Sequence, residues 1–565
     1  MKLNKIWGYG QLFGYSGIEG PNRYYEDNIL MTMKKKLCFR FEFKKYIKMS
    51  FDTTEKIKFD AVMSDFVVAK IGDKDFKLAF LDNDTLVGVS PVLPTFVGEK
   101  KLEVGHSWGA DIYSLENHHL AVRYEKLGDL YRFVVHHSFA FTEARSGANY
   151  YINHFDIDKI IKKFIEYYEK MPKCKDQKYA ALYYKALSIN KVNVHSPEGK
   201  IQMMWTTPDR VPHRHMWLWD TAFHALAMVQ YNPKLAEEIF LAMLSQQRED
   251  GFISHMANPT DCSDVTQPCV MSWAAWNIYQ VTKNKEFLAK TQLILDKYLT
   301  FDMKNRDKNN NGLLEWFTEP DYTICKCGES GLDNSPRFDF DEDMDCFDFS
   351  TYFAMDTHAL SQIYAELGNA EKSEYWEQIS KKTSDLINEL MFSKKSGAYY
   401  DRLFSGKLTE VLTHSSFLPM FAGFAPKEYA ELMVKKMTDE EELWTAMPLA
   451  SISQKDPRYS TDMWRGATWL NINYFNIVGL LKYGYKDIAM KLRDLTLEAV
   501  FKWYKKTGTI FEFYDSKNEM IPFRLDRKGK NPKNPDYRKH VHSITDYNWS
   551  ACFTLLLIQN IYYLK

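Results

Sequence analysis

The stretch FSTYFAMDTHALSQIYAEL, residues 349–367, is followed by Gly368-Asn369 and then by AEKSEYWEQISKKTSDLINELM, residues 370–391. Phe349, Phe353, Leu360, Tyr364 and Leu367 recur at helical spacing, so they share one face that must be buried against a partner. Gly368-Asn369 stops such a helix, because both residues tolerate the left-handed backbone that closes a last turn. The next segment resumes as a second helix, and the unit is a helical hairpin. The pattern repeats on both sides of it. Segment 233–248 opens with Pro233 and has Glu237 and Glu238 close by, all favourable at a helix start. Residues 156–170, 178–190, 216–231, 268–282, 284–303, 413–424, 426–437, 463–483, 486–505 and 544–563 read the same way. Hairpins closing into a ring, an (α/α)6 barrel, are the economical arrangement. An open solenoid would carry a fixed-period repeat, and none is visible.

Upstream the period changes. Leu37, Phe39, Phe41 and Phe43 alternate with Cys38, Arg40 and Glu42, and Phe76, Leu78 and Phe80 repeat that alternation before the turn Asp82-Asn83-Asp84. Tyr131, Phe133 and Val135 do so after Gly128-Asp129. A period of two between turn signals predicts half-buried strands and a β-sandwich-like fold. The chain is therefore mainly α, with a β-rich N-terminal domain over residues 1–150 and a helical domain over 151–565. Its 565 residues are enough for two cores.

Charge and composition narrow the function. Lys and Arg total 73 against 74 Asp and Glu, which argues against a nucleic-acid partner. No apolar run approaches the roughly 20 residues that span a bilayer, so no membrane partner is expected. The start, Met1-Lys2-Leu3-Asn4-Lys5-Ile6-Trp7, lacks a signal peptide's apolar run, and the eight cysteines form no paired framework. Both features predict a reducing, cytoplasmic setting. Cys325, Cys327 and Cys346 lack a fourth zinc ligand and read as ordinary loop cysteines. Aromatic residues make up 15% of the chain and suit the apolar faces of sugar rings, although a large core uses them too.

Three stretches carry candidate chemistry. Met216-Trp217-Leu218-Trp219-Asp220-Thr221 enters a helix, where Asp220 either satisfies first-turn N–H groups or accepts from sugar hydroxyls beside two indoles. Glu329-Ser330-Gly331-Leu332-Asp333-Asn334-Ser335-Pro336-Arg337 is a polar loop whose neighbouring carboxylates would raise one another's pKa, as a general acid requires. The acidic run after it, Asp339, Asp341, Glu342, Asp343 and Asp345, reads as solvent-facing. Thr509-Ile510-Phe511-Glu512-Phe513-Tyr514-Asp515 shields a carboxylate between aromatic rings. Around these lie His255, Thr266-Gln267-Pro268, Trp464-Arg465-Gly466-Ala467-Thr468-Trp469-Leu470-Asn471 and Tyr547-Asn548-Trp549-Ser550, each alone more often core or cap than ligand.

Taken in order, these pieces resemble glycoside hydrolase family 63, which includes α-glucosidases and mannosylglycerate or glucosylglycerate hydrolases, with the family 37 trehalases as cousins. The resemblance covers about residues 200–563. It implies a six-hairpin (α/α)6 barrel and an exo-acting, inverting hydrolase of α-linked glucosides or a related α-glycoside. It makes Asp333 the general acid and Glu512 the general base. Substrate binding falls on Trp217, Trp219, Asp220, His255, Gln267, Asn334, Trp464, Arg465, Gly466, Trp469 and Trp549. The partner is an oligosaccharide, disaccharide or glycosyl-glycerate, and no cofactor is needed for catalysis. Many relatives have Gln-Pro-Pro and Gly-Pro-Val where this chain has Gln267-Pro268-Cys269 and Gly466-Ala467-Thr468, changes that bear on pocket shape. Asp307, Asn309, Asn311 and Glu315, in Asp307-Lys308-Asn309-Asn310-Asn311-Gly312-Leu313-Leu314-Glu315, resemble half of a calcium loop and equally an Asn-rich turn. A structural calcium ion is the expectation carried forward. Two other readings stay open on this fold: a carbohydrate-binding or scaffold protein, which needs no acid–base pair, and a sugar phosphorylase, which replaces the base with a phosphate pocket.

Overall fold

The computed structural model describes residues 1–24, 29–43, 46–319, 325–528 and 542–564. These form two compact units. The first is Met1–Arg214 with Phe501–Ile510 and Thr545–Ala551, and the second is His215–Val500 with Phe511–Ile544 and Cys552–Lys565.

In the first unit, strands β1 (Leu12–Gly14), β2 (Leu30–Met33), β3 (Cys38–Phe41), β4 (Ile47–Ser50), β5 (Ile57–Val62), β6 (Phe66–Ile71) and β7 (Lys74–Asp82) are followed by β8 (Thr85–Ser90), β9 (Thr95–Gly98), β10 (Glu103–Ser107), β11 (Ala110–Leu115), β12 (His118–Leu127) and β13 (Leu130–Ser138). They make a five-stranded sheet, β1-β2-β3-β4-β9, and an eight-stranded sheet, β10-β11-β12-β13-β8-β7-β6-β5. Leu37, Phe39, Phe41 and Phe43 are buried, as are Phe76, Leu78, Phe80, Phe133 and Val135 of the other sheet. Phe13 meets Phe80 at 5.0 Å and Phe51 meets Phe133 at 5.5 Å, so the two apolar faces close on one core.

Helices α1 (Phe141–Tyr151), α2 (Ile157–Glu169) and α3 (Ala180–Val192) also belong to this unit, which therefore runs to Arg214 rather than ending near residue 150. Phe164 of α2 stacks on Phe66 of β6, and Lys191 of α3 pairs with Asp65 and Glu19 at 2.6 Å each. Helix α1 carries a faint signal because it buries little more than Ala144 and Ala148. Two late segments return to the unit through Asp546, whose carboxylate accepts from Lys185 Nζ (2.7 Å), Leu12 N (3.0 Å) and Thr509 Oγ1 (2.7 Å).

The second unit holds the helical pairs: α4 (Leu218–Met228) with α5 (Pro233–Leu244), α6 (Met271–Thr282) with α7 (Lys285–Asn305), α8 (Phe347–Glu366) with α9 (Ala370–Leu390), and α10 (Leu418–Ala422) with α11 (Lys427–Met437). It also holds α12 (Leu470–Lys482) and parts of α13 (Lys486–Thr507) and α14 (Asn548–Gln559). Phe475 of α12 sits where these helices meet. It lies 5.7 Å from Phe223 of α4, 6.3 Å from Trp273 of α6, 6.5 Å from Tyr352 of α8, 4.4 Å from Phe421 of α10 and 6.2 Å from Phe553 of α14. One member of each pair thus turns inward to a shared aromatic core. Among the described residues no helix is long and apolar enough to cross a membrane.

The helix expected from residue 463 begins only at Leu470. Residues 463–466 form a turn closed by Arg465 N on Asp462 O (2.6 Å), with Gly466 packed against the Ser460 carbonyl, and Thr468 then bridges to Tyr514, so the chain is turned and paired before Leu470. This puts Trp464–Trp469 in a loop leading into α12, as Trp217 leads into α4. The start of α6 is closed from a neighbour: Asp356 of α8 accepts from Ser272 N (2.9 Å) and Trp273 N (2.8 Å).

Asp356→Ala is expected to lower stability by about 1–3 kcal/mol, the cost of leaving buried N–H groups unpaired. Burial pushes the Asp356 carboxyl up to about 7. The native protein then keeps a proton that the unfolded chain releases from about pH 4 upward. Wild type should therefore lose stability relative to Asp356→Asn as pH rises from about 4 to 7, and no further above that. Thermal midpoints of the three proteins near pH 5 and pH 8 check both outcomes.

Candidate active site

The loop between α7 and α8 carries Glu329 to Arg337, and both of its ends are pinned. Glu329 accepts from Arg306 Nη2 (2.6 Å), Thr266 N (3.1 Å) and Phe317 N (2.9 Å). Arg337, fully buried, binds Asp348 through Nη1 (2.5 Å) and Nη2 (2.9 Å), and Asp401 through Nε (2.8 Å) and Nη2 (2.7 Å). Between them Gly331 takes φ +69°, and a Cβ there would stand 2.3 Å from the Trp219 indole. Glycine is needed both for the backbone and for the close approach. Asn334 Oδ1 accepts from Trp464 N at 3.0 Å.

Asp333 is placed between these anchors, its side chain 16% exposed. Its carboxylate forms an ion pair with Lys528 and hydrogen-bonds Cys325. Burial alone would raise its pKa, but the Lys528 ammonium, and after it Arg527 and the Cys325 thiol, hold it below the usual carboxylate range. Contrary to the expectation from the sequence, Asp333 is lowered rather than raised, and Glu329 is committed to Arg306 and two backbone donors. The Cys325 thiol, pushed up to about 12 by burial and by Asp333, stays protonated and can donate.

Glu512 is buried between Phe511 and Phe513. Arg527 grips it with Nε on Oε2 (2.9 Å) and Nη2 on Oε1 (3.1 Å), while Glu512 N donates to Ile544 O (2.9 Å). Two consecutive residues, Arg527 and Lys528, therefore reach the two expected catalytic carboxylates. Neither had a signal in the sequence beyond being basic.

The aromatic motifs gather around the same loop. Trp219 N donates to Gln267 Oε1 (3.3 Å), Trp217 meets His255 edge-on at 5.0 Å, and Asp220 is buried in the first turn of α4. Burial holds His255 down at about 4, so it is neutral. Trp464 stacks on Trp469 at 3.7 Å, and Trp469 in turn lies 4.9 Å from Phe513. Two of the expected binding residues have partners within the protein. The Trp469 indole N–H goes to Met463 O (3.0 Å), and Arg465 Nη2 is taken by Asp339 (2.8 and 3.0 Å). Gly466 N donates to Ser451 Oγ (2.7 Å). Trp549 lies in the Thr545–Ala551 segment of the first unit, edge-on to Tyr547 at 5.5 Å. The acidic run is not wholly solvent-facing: Asp339 also pairs with Arg458 at 3.5 Å, and Asp345 is buried against Arg402 (3.1 Å).

Among the described residues, Trp464 Nε1, His414 Nε2 and both side-chain atoms of Asn471 are buried without a hydrogen-bond partner. Buried polar atoms are rarely left so. Donors and acceptors held ready beside stacked indoles suit a polyhydroxylated ligand. Asn471 stood at the end of a motif visible in the sequence, whereas His414 stood in none.

At the expected calcium loop, Asp307 accepts from Asn311 N and Gly312 N (2.9 Å each), and Asn311 Oδ1 accepts from Leu313 N (2.8 Å). Asn309 and Asn311 donate their amides to Asp345 (2.9 Å each). Glu315 Oε2 accepts from Lys308 N (2.9 Å), while Oε1 is buried with no partner among the described residues. Burial pushes this carboxyl up to about 7. The orphaned oxygen and its amide neighbours fit a hard cation in donor type. Among the described residues, however, no three His, Cys, Asp or Glu side chains group to hold a metal, so acids alone make no site here.

Comparison with known proteins follows the same lines. Residues 213–550 match the family model for the mannosylglycerate hydrolase MGH1-like glycoside hydrolase domain. A Selaginella moellendorffii protein named mannosylglycerate hydrolase MGH1 is 22% identical over 397 residues, covering 55% of this chain and 77% of that one. The mannosylglycerate hydrolase of Rubrobacter radiotolerans is 22% identical over 406 residues, covering 56% and 89%. An uncharacterized Borreliella burgdorferi protein is 27% identical over 251 residues, and the chain spans half of its length. Among solved structures, a GH63 mannosylglycerate hydrolase from Thermus thermophilus in complex with glucose aligns with TM-score 0.53 at 18% identity, covering 67% of this chain and 99% of that one. A bacterial glucoamylase complexed with acarbose aligns with TM-score 0.62 at 11% identity, covering 99% and 95%. At such identities the likeness concerns the fold. The family match spans more than half of the sequence, and the chain belongs to the mannosylglycerate hydrolase MGH1-like family of glycoside hydrolases.

Proposed function

We propose that this chain is an exo-acting, inverting hydrolase of an α-linked glycoside, with Asp333 as general acid and Glu512 as general base. The observation that carries it is the pair Arg527-Lys528, one on each carboxylate, with the Arg527 charge that grips Glu512 also acting on Asp333, which supports placing the two acids near one another. The six-hairpin (α/α)6 arrangement is part of this reading, supported by the convergence of alternate helices on Phe475.

In the reaction Asp333 gives its proton to the glycosidic oxygen as the C–O bond breaks. Glu512 takes a proton from the water that attacks the anomeric carbon from the far side. Asp220, Gln267 and the Trp217, Trp219 and Trp464 indoles hold the sugar. A phosphorylase would need a phosphate pocket where Glu512 stands, and a scaffold would need no such pair. Among oligosaccharide, disaccharide and glycosyl-glycerate substrates, the last is favoured. Two relatives are named for mannosylglycerate, and Lys528 offers a cation to a carboxylated aglycone. A screen of these substrate classes for released monosaccharide tests this directly.

Asp333→Asn and Glu512→Gln are each expected to lower turnover by roughly 10²–10⁴-fold, the usual loss when positioned proton transfer is removed. Near-normal turnover in either, with the thermal midpoint unchanged, would reject the role. The first-formed sugar from an α-linked substrate is expected to be the β-anomer. Room for the water implies carboxyl groups about 6.5–9.5 Å apart, against about 5–5.5 Å for a direct nucleophile. Proton NMR in the first minutes, before mutarotation, reads this, and an initial α-anomer would falsify inversion. A calcium ion at Asp307, Asn309, Asn311 and Glu315 is proposed as structural, supplying charge neutralisation to the turn. Millimolar calcium should then raise the thermal midpoint above that in chelator, by mass action on the native state, and Asp307→Ala should abolish the difference. An unchanged midpoint removes the ion.

A further inference from the structure

Asp333 is held in a state unlike the one its role requires. A general acid must carry a proton, yet Lys528 and Arg527 stabilise its anion, and among the described residues the Cys325 thiol and neutral His255 also interact with it. The two cations are built differently. Arg527 makes a planar, two-point grip on Glu512 and is almost wholly buried. Lys528 is a point charge on a flexible stem, 15% exposed, on a backbone held at φ +62°, where a bulky residue is strained. Its ammonium also lies 3.9 Å from Cys325 Sγ. The arginine is a fixture, whereas the lysine can exchange one carboxylate for another.

We propose that Lys528 is a transferable counter-ion, paired with Asp333 until the carboxylate of an anionic aglycone takes it over and frees Asp333 to acquire the proton it donates. This rests on the reading of Asp333 as general acid, and it adds a reason why substrate charge matters. An ion pair replaced by an ion pair leaves no buried charge alone, whereas a neutral aglycone offers Lys528 nothing in return. The protons balance. Asp333 takes one from solvent, passes it to the glycosidic oxygen as the C–O bond breaks, and Glu512 receives one from the attacking water and returns it to solvent. Lys528 is thus a positioning residue that selects anionic α-glycosides through the acid.

The test follows the Asp333 carboxyl by carbon-13 NMR of aspartate-labelled enzyme, its signal identified by its loss in Asp333→Asn. In wild type, D-glycerate is expected to raise the titration midpoint of Asp333 by about 1–3 units, the effect of removing a close opposite charge. Sodium chloride at equal ionic strength should leave it in place. In Lys528→Met the midpoint should already be raised without glycerate and should not move when it is added. A wild-type midpoint unmoved by glycerate, or moved equally by chloride, overturns the proposal, and so does an equal glycerate shift in Lys528→Met. The wild-type comparison needs no variant beyond the one used for assignment. Full turnover by Asp333→Asn would instead overturn the acid assignment, an outcome distinct from the NMR result.

Discussion

The buried guanidinium of Arg337 is the constraint on which the active-site region depends. It has no exposed surface and satisfies two carboxylates, Asp348 at the start of α8 and Asp401 from the chain beyond α9. Taking three charges out of water costs several kcal/mol per ion, and it is recovered only where the geometry is as complete as this fork. Asp348 also accepts from the Trp316 indole (3.0 Å), and Asp401 accepts from Phe347 N (3.2 Å). One cation thus joins the Glu329–Arg337 loop to the start of α8 and to the segment beyond α9. Together with the Glu329–Arg306 pair it leaves Asp333 on a short span whose two ends are anchored, the preorganisation that the proposed proton transfer would need.

The same device recurs in the first unit. Asp546 sits on a left-handed backbone (φ 53°) and collects a lysine, a hydroxyl and a backbone N–H from segments hundreds of residues apart. The apolar sandwich supplies bulk stability, but it does not say which distant segments must join it. A buried carboxylate does, because any other arrangement leaves it unpaired.

Much of the architecture was legible from periodicity. The alternation through Phe39 and Phe41 and the helical stripe through Phe349 and Phe353 are local properties, and burial confirms both. Boundaries failed where local pattern and tertiary contact disagree. Trp464 to Trp469 is apolar enough for a helix, yet the close approach of Ser460 to Gly466 and the bridge from Thr468 to Tyr514 hold it in a turn followed by a bridged residue. Helix α1 was missed because alanines leave no stripe. In the candidate site, Asp220, Asp333 and Glu512 stand in short motifs and could be proposed from the sequence. Arg465 and Trp469 stand in one too, but their polar groups are spent on Asp339 and Met463.

Local pattern along the chain sufficed for the two kinds of secondary structure, the order of the helical pairs and the carboxylates proposed as acid and base, since each depends on neighbours a few positions away. How those residues are paired and held emerged from contacts in three dimensions. It moved the unit boundary to Arg214, gave Glu329 to Arg306 and placed Lys528 on Asp333. Such pairings join residues far apart along the chain through forces that depend on distance and burial in space, and neither quantity is written in the local pattern of the sequence.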